Sequence, residues 1–195
     1  MRITGGRARS IPLNCPKGSD VRPATDRMRE AVFSSIGNLV EGASFLDLFA
    51  GAGTYGLEAI SRGAARGVFV EQNRLAVEAI RKNLAMVAKS AGFSSVHSKY
   101  SIQSADVFKW LVVKTAREVQ ENFRMVFIDP PYREVEKRSD ELLKRVIPLL
   151  DRENGSYLVF ETPHTLSTIP AGYECIRTFG KGREDTRGML LHWQP

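Results

Sequence analysis

Cysteine and histidine are scarce in this sequence, which contains two cysteines and three histidines among its 195 residues. Cys15 and Cys175 lie far apart, in no CxxC or other metal-ligand spacing. We therefore expect neither a disulfide framework nor a bound metal. The histidines are equally scattered, and no serine or cysteine nucleophile is paired with a base, so nothing in the sequence predicts covalent catalysis.

Long hydrophobic runs are also absent. No apolar stretch approaches the roughly 18 to 20 residues needed to span a bilayer, and the N-terminus lacks the apolar core of a signal peptide. Hydrophobic residues at 43% and charged residues at 26% are ordinary for a soluble globular protein. We therefore expect a cytoplasmic protein with a single core and no membrane partner.

Positive charge is concentrated at the N-terminus. Five of the six excess positive charges fall within residues 1–29, which leaves the rest of the chain close to neutral. A basic arm ahead of a neutral core predicts contact with a polyanion, nucleic acid first, although a solvated basic tail has the same composition. The basic residues of this segment are Arg2, Arg7, Arg9, Lys17, Arg22, Arg27 and Arg29.

Strands and helices alternate along the chain. Apolar runs of strand length begin at residue 45 and cover residues 67–71, 99–103, 124–129 and 156–161, and helical spacing is found in 25–37, 55–62, 73–89, 107–120 and 139–150. This alternation predicts a doubly wound α/β sheet with right-handed crossovers. Residues 173–179 and 189–193 read as a terminal antiparallel pair, and we predict a basic arm or hairpin over 1–24 ahead of a single domain over 25–195.

The most informative stretch is FLDLFAGAGTYG at residues 45–56, an apolar strand followed by a glycine-rich turn. Gly51, Gly53 and Gly56 match the G-x-G-x-x-G pattern of turns that hold adenosine-containing ligands, which alone is a weak signal. Glu71 ends the second strand, 20 residues after Gly51, where a carboxylate can accept two ribose hydroxyls. NAD and S-adenosylmethionine fit these residues equally well.

The fourth strand ends in Asp129, Pro130, Pro131 and Tyr132, a sequence suited to methylating an exocyclic aromatic amine. Asp129 can accept one N–H of such an amine and the Pro130 carbonyl can accept the other, while Pro131 stiffens that carbonyl. Tyr132 offers a flat face for stacking a base. A carboxylate placed before the reaction stabilises the positive charge that develops on the nitrogen.

Several segments together resemble the RsmD type of bacterial small-subunit (16S) ribosomal RNA guanine-N2 methyltransferases. They are RPATDRMREAVF, LDLFAGAGTYGLEAISRGA, VFVEQN, AIRKNL, ADVF and FIDPPY, and the similarity runs from about residue 2 to residue 191. RPATDRMRE is the specific part, because glycine turns and DPPY occur in many amino-methyltransferases.

The resemblance implies a class I S-adenosylmethionine-dependent methyltransferase (Rossmann-like) fold, with a seven-stranded, mostly parallel sheet and an antiparallel last pair. It implies methylation of the N2 amine of one guanine, with ribosomal RNA or an assembling small subunit as partner. The implied cofactor residues are Asp47, Phe49, Ala50, Gly51 and Gly53 on the methionine side, Glu71 at the ribose, and Gln72, Asp106 and Val107 at the adenine. The implied catalytic residues are Asp129, Pro130, Pro131 and Tyr132, and the RNA candidates are Arg7, Arg9, Arg22, Pro23, Thr25, Arg27 and Arg29.

Three departures from the family pattern and three alternatives accompany this interpretation. Thr54-Tyr55 stands where small or apolar residues are more usual, residues 90–104 are long and serine-rich, and residues 182–188 are unusually charged.

The alternatives are an adenine-N6 methyltransferase acting on DNA or RNA, an NAD-dependent oxidoreductase using the same glycine turn, and a non-catalytic RNA-binding assembly factor.

Overall fold

We analysed a computed structural model of the chain, which describes residues 1–16, 26–93, 98–116, 122–162, 169–180 and 187–193. For residues 115–116, 132–137, 162 and 187 it describes the backbone alone. All structural statements below concern these residues. The prediction of an arm over residues 1–24 ahead of a single domain stays a prediction, because the boundary at residues 17–25 lies outside the described ranges.

A seven-stranded sheet forms the centre of the molecule, with strand order β3-β2-β1-β4-β5-β7-β6. Strands β1 to β5 are parallel to one another, and β7 runs antiparallel to both β5 and β6. This confirms the predicted fold class, including the antiparallel last pair. The strands are β1 (Ser44–Leu48), β2 (Arg66–Glu71), β3 (Tyr100–Ser104), β4 (Met125–Ile128), β5 (Ser156–Thr162), β6 (Tyr173–Phe179) and β7 (Arg187–Trp193).

Five α-helices connect or flank these strands, none of them long and apolar enough to cross a membrane within the described part of the chain. Four of them begin within a residue or two of the predicted positions. They are α1 (Asp26–Ile36), α2 (Thr54–Ser61), α3 (Arg74–Ala91), α4 (Val107–Ala116) and α5 (Tyr132–Val146), with short 3₁₀ turns at Gly37–Val40 and Ile147–Leu149.

The start of α5 was predicted wrongly. The helix begins at Tyr132, seven residues before the expected start, so the DPP sequence leads directly into it. Pro131 is the N-cap residue, in an extended conformation that a proline adopts without strain. The first two turns of α5 are rich in charged residues, and the apolar side becomes visible only at Leu142, Leu143 and Val146, which are buried.

The two faces of the sheet carry separate cores because side chains alternate along each strand. Phe45, Phe69 and Phe127 point to the face covered by α1, α2 and α3, where they join one continuous cluster of buried residues. Leu46, Leu48, Val126 and Ile128 point to the opposite face, which is covered by α4 and α5. Both cores are buried, as expected for a parallel sheet with helices on both sides.

The sequence predicted an arm or hairpin at the N-terminus. In the structure the first residues form a small hairpin, and this hairpin docks on α2. Arg2 bridges Pro12 in antiparallel fashion, and the Ile3 amide donates to the Ile11 carbonyl at 3.0 Å. At the hairpin tip the Arg7 amide donates to the carbonyl of Ser61 at 2.7 Å and the Ala8 amide donates to its Oγ at 2.9 Å. The tip is therefore fixed to the C-terminal end of α2.

Glu58 of α2 joins three segments of the chain. Its carboxylate accepts hydrogen bonds from both the amide and the hydroxyl of Thr4, from the amide of Gly5 and from the guanidinium of Arg62. It also pairs with Arg29 of α1, Nε to Oε2 at 3.3 Å, and both side chains have no solvent exposure. The arm, α1 and α2 therefore meet on one buried carboxylate.

Replacing Glu58 by glutamine is expected to lower the free energy of unfolding by about 3 kcal/mol, because it removes the buried counter-charge of the Arg29 guanidinium and leaves it the more exposed Asp26. Urea denaturation followed by circular dichroism measures the change. Glu30→Gln is the matched control, since Glu30 lies beside Arg29 in sequence but is exposed on α1, and it should change stability by less than about 0.5 kcal/mol. Equal effects of the two substitutions would contradict this role for Glu58.

Candidate active site

The strand order reverses between β1 and β4, which lie side by side and lead to opposite halves of the sheet. In open α/β sheets ligands bind beyond the carboxyl ends of the strands at such a switch point. The glycine turn, residues 49–53, follows β1, and the segment Asp129 to Pro131 follows β4. The structure thus brings the two strongest sequence motifs to the two sides of one crevice.

The glycine turn has an unusual backbone. Phe49 has a φ of 56°, Gly51 of 54° and Gly53 of 80°. Positive φ is strained for a phenylalanine, and such strain concentrates at functional sites. The turn is closed by hydrogen bonds from the Gly53 amide to the Ala50 carbonyl at 2.7 Å and from the Ala50 amide to the Val70 carbonyl at 3.2 Å.

The third glycine of the motif has a packing role. A Cβ added at Gly56 would come within 2.3 Å of the Phe69 ring and 2.6 Å of the Phe45 ring. Only glycine therefore lets α2 lie this close to β1 and β2, which is the usual purpose of the last glycine in such turns. The result is that α2 begins directly behind the turn.

Glu71 closes the turn from the side of β2. Its two carboxylate oxygens accept from the Gly51 amide at 2.8 Å and from the Asn73 amide at 2.7 Å. A carboxylate oxygen has two lone pairs, so each can still accept a further hydrogen bond, such as one from a ribose hydroxyl. The neighbouring Gln72 is exposed at the same edge.

The predicted adenine-side residues lie at the end of β3. Asp106 is partly exposed, and its Oδ1 accepts from the Lys109 amide at 2.9 Å, which caps α4. Val107 is buried at the start of that helix. The ring of Phe108 in α4 meets the ring of Phe49 edge-on, with centroids 6.0 Å apart, so the start of α4 is in contact with the glycine turn.

Asp47 is buried within β1, where its Oδ2 accepts from the Gly56 amide at 2.9 Å. Burial raises the pKa of the Asp47 carboxyl to about 8, the Gly56 hydrogen bond opposes that shift, and the negative charge of Glu71 adds to it. Its charge is therefore poorly compensated by the protein, and a cation at this position would favour the ionised form.

Four carboxyls share one face of the sheet. Asp47, Glu71 and Asp129 continue the alternation of Phe45, Phe69 and Phe127, whose side chains belong to the core on the α1, α2 and α3 side. Glu161 continues the same pattern on β5, two residues after Val159. The four acids thus lie at or beside the carboxyl ends of four adjacent strands, β2, β1, β4 and β5.

Asp129 follows β4 directly and lies beside this row. Burial raises the pKa of its carboxyl well above the usual range, and the negative charges of Glu161 and Asp47 raise it further. Pro130 is buried and Pro131 is exposed. Tyr132 is the first residue of α5, and its side chain lies outside the part that the structure describes.

Sequence reasoning missed Glu161 and assigned no role to Tyr55. The Tyr55 hydroxyl donates to Glu161 Oε1 at 2.5 Å, and both residues are almost completely buried, at 2% and 3% exposure. Tyr55 also stacks on Phe127, with ring centroids 5.1 Å apart. The sequence analysis noted Tyr55 as a departure from the family pattern. Glu161 is the last residue of the strand predicted over residues 156–161.

Asn83, within the AIRKNL segment, is a second residue without a predicted role. It is buried in α3, and its Nδ2 donates to the Ala52 carbonyl of the glycine turn at 3.1 Å and to the Asn14 carbonyl at 3.0 Å. Its Oδ1 accepts from the Asn14 amide at 2.8 Å. Asn83 therefore connects the N-terminal arm to the glycine turn.

The RNA candidates do not form one surface. Arg29 is wholly buried and paired with Glu58 and Asp26, so its predicted RNA contact is wrong for this structure. Arg7 and Arg9 are exposed, but the hairpin tip that carries them is fixed to Ser61, at the end of α2 remote from the glycine turn. Arg27 is exposed on α1. Arg22, Pro23 and Thr25 lie outside the described residues.

The described residues fit a nucleoside that carries a cationic group. Glu71 retains acceptor capacity for hydroxyls, and Asp47 is a buried carboxyl whose ionised form a cation would favour. Among the described residues there is no group of three or more histidine, cysteine or acidic side chains arranged to hold a metal ion. Cys15 and Cys175 are both free thiols.

Comparison with known proteins identifies the family. The family profile described as "Conserved hypothetical protein 95" matches residues 1–187. The chain is 33% identical over 184 residues to the Ribosomal RNA small subunit methyltransferase D of Escherichia coli (strain K12), an alignment that covers 91% of this chain and 83% of that protein.

Solved structures agree on the fold. The putative methyltransferase yhhF from Escherichia coli superposes with a TM-score of 0.78 at 26% identity, covering 100% of this chain and 98% of that one. An RNA methyltransferase from Salinibacter ruber in complex with S-adenosyl-L-homocysteine superposes with a TM-score of 0.55 at 20% identity, covering 88% and 92% of the two chains. The chain has the class I methyltransferase fold.

Asp47→Asn is expected to change how stability depends on pH. The folded carboxyl holds its proton up to about pH 8, whereas in the unfolded chain it loses it near pH 4, so its contribution to stability falls as pH rises between these values. The unfolding free energy of the variant relative to wild type should therefore rise by about 1 kcal/mol per pH unit from pH 6 to pH 8.

Urea denaturation at several pH values measures this difference. All other titrating groups are common to both proteins, so their contributions largely cancel in the comparison. A difference that stays constant between pH 6 and pH 8 would show that Asp47 is ionised in the folded state throughout that range.

Proposed function

This chain belongs to the conserved hypothetical protein 95 family, the RsmD-type ribosomal RNA methyltransferases, and we propose that it methylates the exocyclic N2 amine of a guanine in small-subunit ribosomal RNA. The methyl donor is S-adenosylmethionine. The partner is ribosomal RNA, as free RNA or within an assembling small subunit. The observation that supports the reaction class best is the position of Asp129 across the switch point from the glycine turn.

When bound, S-adenosylmethionine supplies an electrophilic methyl group, and the residues that would hold it surround the ends of β1, β2 and β3. Asp47 and the glycine turn offer a buried carboxyl and approachable backbone for the methionine part. Glu71 offers free acceptor positions for the ribose. The residues on the methionine side are Asp47, Phe49, Ala50, Gly51 and Gly53, and those at the adenine are Gln72, Asp106 and Val107.

Asp129 and Pro130 hold the amine. The carboxylate of Asp129 accepts one N–H and the carbonyl of Pro130 accepts the other, which favours a pyramidal nitrogen whose lone pair is free to react. As positive charge develops on that nitrogen, the negative charge of Asp129 stabilises it, and this electrostatic effect is stronger in a desolvated site. Pro131 restricts Pro130 and, as the N-cap residue of α5, fixes where the loop ends.

Tyr132 stacks on the guanine, which must leave its base-paired or stacked position to reach Asp129. The proposed RNA contacts near the start of α1 are Arg22, Pro23, Thr25 and the exposed Arg27. Arg7 and Arg9, at the far end of α2, contact the phosphate backbone of a more distant part of the RNA, where they add affinity and carry no base specificity.

Asp129→Ala is expected to reduce methyl transfer to small-subunit ribosomal RNA by at least about 100-fold, because the amine loses its acceptor and its counter-charge. Binding of S-adenosylhomocysteine should be retained, since the proposed pocket for it lies on the other side of the switch point. The assay is transfer of labelled methyl, on free RNA and on small subunits from cells that lack this protein. Asp140→Ala, at an exposed acid of α5, is the control and should keep full activity.

Nucleoside mass spectrometry of the product decides the acceptor. N2-methylguanosine supports the proposal, and N6-methyladenosine would replace it by the adenine alternative. No transfer to RNA or to subunits, together with retained function of Asp129→Ala in cells, would favour a non-catalytic assembly factor. Binding of NADH in preference to S-adenosylhomocysteine would favour an oxidoreductase.

A further inference from the structure

Tyr55 and Glu161 form a buried pair that the proposed reaction does not use. Their hydrogen bond is 2.5 Å long, as expected when a hydroxyl donates to a charged carboxylate. The Tyr55 ring is fixed by stacking on Phe127, at an interplanar angle of 15°. The pair therefore presents Glu161 in one orientation at the end of β5.

Glu161 lies beside Asp129. Ile128 of β4 pairs with Phe160 of β5. The residues that follow this pair are Asp129 and Glu161, and paired strands lie about 4.8 Å apart. Two carboxyls that follow one strand pair do not both ionise readily, because each charge disfavours the other. The proton affinity of Asp129 is accordingly raised by the charge of Glu161.

The charged groups around this pair come from each packed element. Asp47 of β1 adds negative charge near Asp129 when it is ionised, and Arg29 of α1 is the cation whose field reaches Glu161. On β7, Gly188 pairs with Glu161 and brings no charge, while the side chain of Arg187 lies outside the described part. Burial outweighs Arg29 and the Tyr55 hydrogen bond and raises the pKa of Glu161 to about 7.

We propose that Glu161, held by Tyr55, is a positioning residue that keeps a proton on Asp129 until a positively charged methyl donor enters the site. This inference rests on the proposed methyl transfer, in which the sulfonium and the amine held by Asp129 must come together. The arriving positive charge favours the ionised form of Asp129, whose proton passes to solvent. No bond other than the O–H bond of the carboxyl is broken in this step.

Charge is the variable that separates this idea from a structural role. S-adenosylhomocysteine is neutral at sulfur, whereas sinefungin carries an ammonium group in place of the sulfonium and is otherwise closely similar. Isothermal titration calorimetry at pH 7.0 in buffers of different ionisation enthalpy counts the protons released on binding each ligand. Wild type should release more protons with sinefungin, since burial and the charge of Glu161 raise the pKa of Asp129 and keep it protonated until a positive charge arrives.

Glu161→Gln should at least halve that difference, because removing the neighbouring charge lets Asp129 ionise before any ligand binds. Tyr55→Phe should also reduce that difference, by less than Glu161→Gln, because without the hydrogen bond that favours its ionised form Glu161 is less charged and raises the pKa of Asp129 less. Glu174→Gln, at an exposed glutamate of β6, is the matched control and should match wild type.

The activity profile gives a second measurement. The pH below which kcat falls should be lower in Glu161→Gln than in wild type, with KM for RNA unchanged, because the like charge beside Asp129 is gone. Equal proton release with both ligands in wild type would overturn the inference. An unchanged or larger difference in Tyr55→Phe would also overturn it, and that variant decides alone if Glu161→Gln does not fold. If neither ligand binds, the proposed function itself fails.

Discussion

The site depends on one constraint, which is that carboxyls at the ends of four adjacent parallel strands share one desolvated face of the sheet. The alternation of side chains that buries Phe45, Phe69 and Phe127 places Asp47, Glu71 and Asp129 on the same side, and Glu161 follows from the register of β5. Burial makes the ionised state costly for Asp47, Asp129 and Glu161. A row of poorly compensated carboxyls is a strong attractor for a cation, which is the character of S-adenosylmethionine at its sulfonium and its ammonium.

The N-terminal motif that is specific to the family also has a structural role, which its positive charge alone does not indicate. RPATDRMRE suggested a basic surface, yet Arg29 lies inside the protein, where it pairs with Glu58 and has a field that reaches Glu161. Glu58 in turn holds Thr4 and Gly5 of the arm. The motif thus fixes α1 against α2 and the arm, while Arg27 remains exposed.

Much of the fold could be predicted because its signals are local. The apolar runs of β1, β2 and β4 and the glycine turn between β1 and α2 are readable in single segments, and so is the antiparallel last pair, which was predicted over residues 173–179 and 189–193. The start of α5 could not be predicted in the same way, because its first turns are charged and the helix is defined by packing at Leu142 and Val146. Burial of Arg29 and the pairing of Tyr55 with Glu161, 106 residues apart, depend on tertiary contacts that no local pattern encodes.

Tyr55 shows why a departure from a family pattern can matter more than agreement with it. A small residue after the second glycine would leave the turn intact but would give Glu161 no hydroxyl donor. Glu161 would then hold its proton more firmly, and Asp129 would face a neutral neighbour instead of a charged one. The glycine turn, which we propose binds the cofactor, is therefore connected to the proposed amine-binding carboxyl of Asp129 through one side chain, since Tyr55 extends from the first turn of α2 to the end of β5. On this proposal, the identity of a single residue behind the turn helps to set the charge of Asp129.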